Sequence, residues 1–441
     1  MTRDLTKGKV MPLLIKFTIP MVLGNLFQLT YNAVDGIIAG RYVGKEALAA
    51  VGICGPVTTL FILFLNGLCL GASILMGTHY GAGEMDQLRR QISTTMLAGV
   101  VFSLSLSLVC ILLATPILMI LRTNTAILSL TRGYLRIILV GMVFTFLYNF
   151  FSTTLRALGD TLTPLLFLIV SSVLNVIGDL FLVVVCGLGV YGCALATVLS
   201  QAVSVLFCFF YIRKKVPVLN LGRQWFVFDR GQLKQTVAYG WASAMQQSTV
   251  QLGKLCVQGV VNTMGVAATA AFTAVNRMDD FAMVPEQNIG HSMTALMAQN
   301  KGAGNKARMQ EGFRAGMVLE LIYGCILFVI CFFFAEPIMH LFAKDPEVIL
   351  HGTRYLRLIA PMYVLPAMTN GIQGYFRGIG DLKTTLLSSS VNMGVRVLFA
   401  FIFAYGFHMG LEAMPLAYLA GWIGMLAAEV PLLVKSVRQK Q

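Results

Sequence analysis

Arg156-Ala157-Leu158-Gly159-Asp160 returns 221 residues later as Arg377-Gly378-Ile379-Gly380-Asp381. The same offset carries Gly81-Ala82-Gly83 onto Gly302-Ala303-Gly304 and Ala114-Thr115-Pro116-Ile117 onto Ala335-Glu336-Pro337-Ile338. It also carries Tyr134-Leu135-Arg136 onto Tyr355-Leu356-Arg357. No gap is needed from Gly44/Gly265 to Ala196/Ala417, so the chain is two copies of one unit. The copies differ in their ionisable residues. Asp35 falls opposite Cys256, Asn175 opposite Arg396, and Asp179 opposite Ala400. A duplicated scaffold with one-sided carboxylates implies a machine whose fold is symmetric and whose coupling site is not.

The scaffold belongs in a membrane. Hydrophobic residues make up 57% of the chain and charged residues 12%, against roughly 25% charged in soluble domains. A span of ~20 apolar residues crosses the hydrocarbon core. Twelve segments meet that length, near 12–36, 47–79, 92–114, 133–153, 163–186, 190–212, 236–262, 267–299, 315–335, 353–373, 384–406 and 413–434. The first is too long for a signal-peptide core and no cleavage site follows it, so it is expected to stay. The fold class is therefore an all-α membrane protein of twelve transmembrane helices. Six spans per copy is an even number, so both copies enter from the same face as parallel repeats around a central cleft. The expected organisation is an N-terminal lobe over 1–212, a cytoplasmic linker over 213–235 and a C-terminal lobe over 236–441. The linker is the most polar stretch, with Arg213, Lys214, Lys215, Arg223, Asp229, Arg230 and Lys234 beside Trp225 and Phe226.

The net charge of +14 does not indicate nucleic acid. Arg3, Lys7, Lys9, Arg89, Arg90, Arg156, Lys301, Lys306, Arg308, Arg377, Lys383, Lys435, Arg438 and Lys440 collect with the linker on one side. The opposite loops, at 187–192, 263–265 and 408–412, are short and nearly neutral, with Arg41, Lys45, Arg122 and Lys344 as exceptions. This is the positive-inside distribution, and it puts both termini in the cytoplasm of a multi-pass plasma-membrane protein. The nine cysteines lie in apolar segments without ligand spacing and imply neither a metal nor a disulfide framework. No HExxH, GxSxG or Walker pattern occurs, so an enzyme is not expected. Gly67/Gly71 and Gly77/Gly81 read as close helix packing. The two Gly-Ala-Gly triplets read as turns and caps.

The chemistry concentrates at three places. Asp35 ends the first span, in Thr30-Tyr31-Asn32-Ala33-Val34-Asp35-Gly36. Asn175 and Asp179, four residues apart, share one face of the fifth span, and Thr197 follows in the sixth. Asp179 sits in the run Val176-Ile177-Gly178-Asp179-Leu180-Phe181-Leu182-Val183, where a carboxylate costs a few kcal/mol and is a functional candidate by default. Carboxylate, amide and hydroxyl oxygens suit a proton or Na⁺. Asp35 alone also reads as an interfacial loop residue, and Asn175 and Thr197 as interhelical hydrogen-bonding groups.

Here the chain resembles the multidrug and toxic compound extrusion (MATE) transporters over essentially its whole length. The resemblance rests on the two six-span halves, on Val34-Asp35-Gly36-Ile37-Ile38-Ala39-Gly40, on the repeated Arg-x-x-Gly-Asp loop and on Asn175-Val176-Ile177-Gly178-Asp179. It implies a cation or proton coupling site at Asp35, Asn175, Asp179 and Thr197, with Na⁺ as the possible metal. It also implies a helix hinge at Pro20, where a proline frees a backbone carbonyl. The branch implied is MepA/DinF-like. The NorM pattern of further acids in the seventh and tenth spans is missing: the seventh offers Gln246, Gln247, Gln251, Lys254 and Gln258, and the tenth Pro366, Thr369, Asn370 and Gln373.

The eighth span carries Arg277, Asp279, Asp280, Glu286 and Gln287 with Met283 among them. Asp279, Asp280, Glu286, Gln287 and Met283 are the substrate-cleft candidates. The competing reading is that these acids neutralise Arg277, Lys254 and Arg396. The expected function is secondary-active efflux of organic, cationic, drug-like compounds in exchange for H⁺ or Na⁺. No cofactor beyond the coupling ion and no nucleic-acid partner is expected, and a monomer suffices. A flippase of lipid-linked oligosaccharides is the alternative, for which only Arg277 and Arg396 offer pyrophosphate contacts.

Overall fold

The computed structural model of the chain describes residues 4–220 and 222–439. Arg3, Lys440 and the side chain of Arg438, counted above among the inner-face charges, lie outside the described residues. Among these residues every regular element is helical. In the first half they are α1 (Val10–Ile38), α2 (Lys45–Ala82), α3 (Met85–Leu112), α4 (Ala114–Ile120), α5 (Thr125–Ala157), α6 (Leu162–Asp179) and α7 (Gly189–Lys215). In the second they are α8 (Arg230–Val261), α9 (Val266–Gly302), α10 (Lys306–Phe333), α11 (Ala335–Phe342), α12 (Pro346–Ile359), α13 (Val364–Gly378), α14 (Leu382–Phe401) and α15 (Ala413–Gln439). The sequence offset is also a structural one. Lys45 and Val266 open equivalent helices, as do Met85 and Lys306, and α6 and α14 both pass into a π-helical turn, Leu180–Val185 and Ile402–Gly406. The counterpart of α5 is broken by a 3₁₀ turn at Ala360–Tyr363.

Each of the twelve expected segments falls on helix. Among the described residues nine helices are long and apolar enough to cross a membrane. The other three segments are α8, α9 and the α12–α13 pair, all in the second half, where glutamines and charges dilute the hydropathy. Several helices begin well before their expected spans, among them α3 at Met85, α5 at Thr125, α10 at Lys306 and α12 at Pro346. Hydropathy registers only the apolar window, whereas a helix continues to its cap. Asn124 Oδ1 accepts from the Ala126 N–H at 3.0 Å, and Asn305 Oδ1 from the Arg308 N–H at 3.0 Å.

The Arg-x-x-Gly-Asp repeat is a stop-and-restart device. Gly159 and Gly380 take φ of +86° and +81°, which ends one helix in the left-handed region. The next residue caps the following helix. Asp160 accepts from the Thr163 N–H at 3.1 Å and hydroxyl at 2.7 Å. Asp381 accepts from the Thr384 N–H at 3.2 Å and hydroxyl at 2.7 Å. Gly83 and Gly304 end α2 and α9 in the same left-handed way, at φ +73° and +68°.

By its contacts the described chain forms two units, one built on Ile19–Ala244 and one on Leu5–Thr18 with Met245 onward. The ranges read from the repeat describe the duplication; the contacts divide α1 after Thr18 and α8 after Ala244. In the first unit, Gly67 and Gly71 of α2 meet Ala244 and Gly240 of α8. A Cβ on Gly71 would stand 2.5 Å from the Gly240 nitrogen, so only glycine permits this approach. The linker belongs to the same unit: Trp225 packs edge-on to Phe151, and Ser93 donates to the Val227 carbonyl at 2.7 Å. In the second unit, Arg308 donates to the carbonyls of Leu5, Lys7 and Gly8 at 3.0, 2.8 and 2.7 Å. Leu5 donates to Gln299 Oε1 at 3.0 Å.

Candidate functional site

The first unit brings α1, α6 and α7 together at small residues. Gly178 lies against Ala196, where an added Cβ would stand 3.2 Å from the alanine methyl, and Gly192 lies against the Leu182 backbone. That closeness allows short polar side chains to bridge the helices. Asn175 is buried, and its amide nitrogen, turned toward Asp35, lies 2.7 Å from Oδ1 and 3.3 Å from Oδ2. This orientation follows from chemistry: an ionised carboxylate only accepts, so the NH₂ must face it. The other end of the amide lies 3.4 Å from Thr197 Oγ1, whose hydroxyl donates to the Cys193 carbonyl at 3.0 Å. Asp179 closes α6 and is fully buried, and among the described residues neither carboxylate oxygen is hydrogen-bonded in normal geometry. Asp35 is its charged neighbour. All four residues expected from the sequence thus stand together.

Beside them lies a polar cavity whose wall includes Asn175 and Thr197 together with Gln28, Tyr31, Asn149 and Ser172. Thr145 donates to Gln201 in the same wall. The sequence reading missed these groups. Their signal was available as polar residues recurring at helical spacing on α5, α6 and α7, but only packing shows that the polar faces of different helices converge.

Pro20 lies inside α1, two residues past the point where the helix changes unit. Thr18, just before it, lies 2.8 Å from both the Leu14 carbonyl and Ser292 Oγ.

In the second unit α9 divides its polar residues between two faces. Asp280 and Gln287 are exposed and Met283 is half-buried. Asp279 is half-buried and Glu286 fully buried. Asp279 accepts from the Tyr363 hydroxyl. Among the described residues none of these acids forms a direct ion pair with Lys254, Arg277 or Arg396. Arg396 instead lies over the Tyr418 ring at 3.9 Å and the Trp422 ring at 5.2 Å. The position that carries Asn175 in the first half therefore carries an aromatic-boxed cation in the second.

A duplicated helical bundle with a buried carboxylate–amide–hydroxyl cluster in one copy is matched by the MatE family model, over residues 20–181 and again over 242–402. The chain belongs to this family. The probable multidrug resistance protein YoeA of Bacillus subtilis is 30% identical over 97% of this chain and 92% of its own length. The multidrug export protein MepA of Staphylococcus haemolyticus is 21% identical over 85% of this chain and 82% of its own. A crystal structure of a MATE protein in the bent conformation superimposes with a TM-score of 0.92 at 22% identity, covering 99% and 98% of the two chains. Both family matches stop within the π-helical turns after α6 and α14, so the model covers the two repeats separately. The protein is an integral membrane transporter and not an enzyme.

Proposed function

We propose that this MATE-family protein is a secondary-active exporter of cationic, drug-like organic compounds, driven by entry of H⁺ or Na⁺ through the plasma membrane, with both termini cytoplasmic. The carrying observation is the cluster of Asp35, Asn175, Asp179 and Thr197, with Asp179 wholly removed from solvent and its carboxylate next to that of Asp35. Two neighbouring carboxylates, one of them fully buried, repel each other, and one shared cation relieves that repulsion. Asn175 is suited to sense the event. Facing a carboxylate it must present NH₂; facing a protonated acid or Na⁺ it can present its carbonyl oxygen. Cation arrival therefore exchanges one arrangement of α1 against α6 for another. Pro20 is the place where α1 can bend, because its missing N–H removes one backbone hydrogen bond. The relatives named for multidrug export, and the solved neighbour described as bent, support this reading. On α9, the exposed Asp280 and Gln287 with the adaptable thioether of Met283 supply loose, cation-attracting recognition, and Asp279 and Glu286 lie behind them. Coupling requires only that cation and drug prefer different arrangements.

The test is ethidium efflux from proteoliposomes under an imposed pH gradient or Na⁺ gradient. One gradient drives efflux in the wild type, and Asp179→Asn loses it while still binding ethidium. Gradient-driven efflux retained in Asp179→Asn would remove the coupling role from this site.

A further inference from the structure

The second unit contains a group of buried acids that the cluster above does not use. Glu286 on α9, Glu320 on α10 and Glu429 on α15 each have zero solvent exposure. Among the described residues none of their carboxylate oxygens makes a hydrogen bond of normal length and angle, although Asn370 neighbours Glu286, the Gly290 backbone Glu320 and Ser388 Glu429. Two of them flank one buried cation, and the third neighbours one of these two. Arg377 on α13 lies within Coulomb reach of Glu320 and Glu429, and Glu320 within reach of Glu286. Two glycines make the room: a Cβ on Gly290 would stand 3.2 Å from Arg377 Nη2, and one on Gly371 would stand 3.5 Å from Glu320 Cγ. The other groups facing the cluster are Tyr323, Asp279, Asn370 and Ser388. Of these Asp279 has its own hydrogen bond from Tyr363 and feels Lys254 and Arg396.

The duplication provides an internal control. At the 221-residue offset, Glu286, Glu320 and Glu429 correspond to Leu65, Gly99 and Cys208, while Arg377 corresponds to Arg156. Leu65 and Cys208 belong to the apolar core of the first half. Gly99 lies under the Phe146 ring, so tightly that a Cβ would overlap it, and Phe146 corresponds to Ala367. Large and small have changed places in this pair of positions: glycine and phenylalanine in the first half, glutamate and alanine in the second. The fold tolerates an apolar filling here, so structure alone does not call for carboxylates. A hydrogen-bonded chain joins the cluster. Ser388, beside Glu429, lies 3.4 Å from Gln373 Nε2, and Gln246 Nε2 donates to Gln373 Oε1 at 2.8 Å and to Ser389 at 3.0 Å. The first half has Phe167 and Leu168 where Ser388 and Ser389 stand.

We propose that the second half carries its own proton-exchange site, formed by Glu286, Glu320 and Glu429 around Arg377. Fully ionised, three carboxylates and one guanidinium leave uncompensated negative charge in the interior, which the protein interior does not support. Protons supply the balance, each converting a carboxylate to a carboxylic acid. The acids share a mobile proton inventory beside a fixed positive charge, with Asn370 next to Glu286 and Ser388 next to Glu429 as polar neighbours, and the glutamine–serine chain is its route. Each half then carries carboxylates where the other has none. The proposal extends the antiport reading by a second site, but its test needs no transport.

The test is infrared difference spectroscopy of the full-length protein in lipid vesicles as the bath pH is stepped, observing the carboxylic-acid carbonyl stretch. In an Asp35→Asn/Asp179→Asn background a pH-dependent signal remains at the high carbonyl frequency of acids held in a dry interior, apart from that of exposed carboxylates. It disappears when Glu286→Gln, Glu320→Gln and Glu429→Gln are added, and each single change removes part of it, which keeps the assignment testable if the combined variant does not fold. Absence of a titrating signal in the background variant, or its survival through all three glutamine changes, overturns the proposal. Absence of gradient-driven efflux from the wild type, with the infrared signal intact, would instead count against the antiport reading alone.

Discussion

Replacing Asn175 with alanine tests the coupling site where its geometry is best defined. The amide nitrogen stands 2.7 Å from Asp35 Oδ1, and a hydrogen bond to a charged group contributes about 1.5–3 kcal/mol. Asp35 is only half-buried and Asn175 lines a polar cavity, so solvent replaces part of the lost bond. The lower end, about 1.5 kcal/mol, is therefore the working figure, and it corresponds to roughly a tenfold change in an equilibrium constant. The sign depends on the ion. The amide N–H competes with an incoming proton for Asp35, so its removal lowers the half-saturating proton concentration about tenfold. For Na⁺ the same side chain is an oxygen ligand, so its removal raises the half-saturating Na⁺ concentration by a similar factor. The assay is the initial rate of ethidium efflux from proteoliposomes as a function of the driving-ion concentration. Unchanged half-saturation in both gradients, with efflux intact, would refute the argument that Asn175 and the cation contend for Asp35.

Three further predictions concern the scaffold. Gly99→Ala drives a methyl into the Phe146 ring and lowers stability by about 1–3 kcal/mol, read as a fall in detergent melting temperature; adding Phe146→Leu recovers most of it. Asp381→Ala removes the cap of α14 and costs about 1 kcal/mol in the same assay, and Asp160→Ala does the same for α6. Arg308→Ala removes three donors to the carbonyls of residues 5–8, so amide hydrogen exchange of Leu5 to Gly8 rises while α10 is unaffected. A protection pattern unchanged by Arg308→Ala would show that Leu5, Gln299 and Asn300 hold the segment without it.

The duplication, the membrane class and the helix positions were legible in the sequence because each is a linear signal: a fixed offset, a hydropathy window, a cap residue at a set spacing. The grouping of Asp35, Asn175, Asp179 and Thr197 was also legible, through one-face spacing and family resemblance. The polar cavity was not, because Gln28, Thr145, Asn149, Ser172 and Gln201 lie on four helices and each alone is an ordinary interhelical hydrogen-bonding group. Glu320 and Glu429 escaped for the same reason. Each is a lone acid within an apolar stretch of its helix, and only packing reveals that Arg377 lies near both. The split of α9 into an exposed Asp280/Gln287 face and an inward Asp279/Glu286 face follows the helical period. Which face is inward was decided by its neighbours. Sequence by itself fixes what is periodic along one helix; which side chains of different helices meet depends on close approaches such as Gly71 on Gly240 and Gly178 on Ala196. Those approaches are set by the shapes of both partners together, and only the tertiary structure contains them.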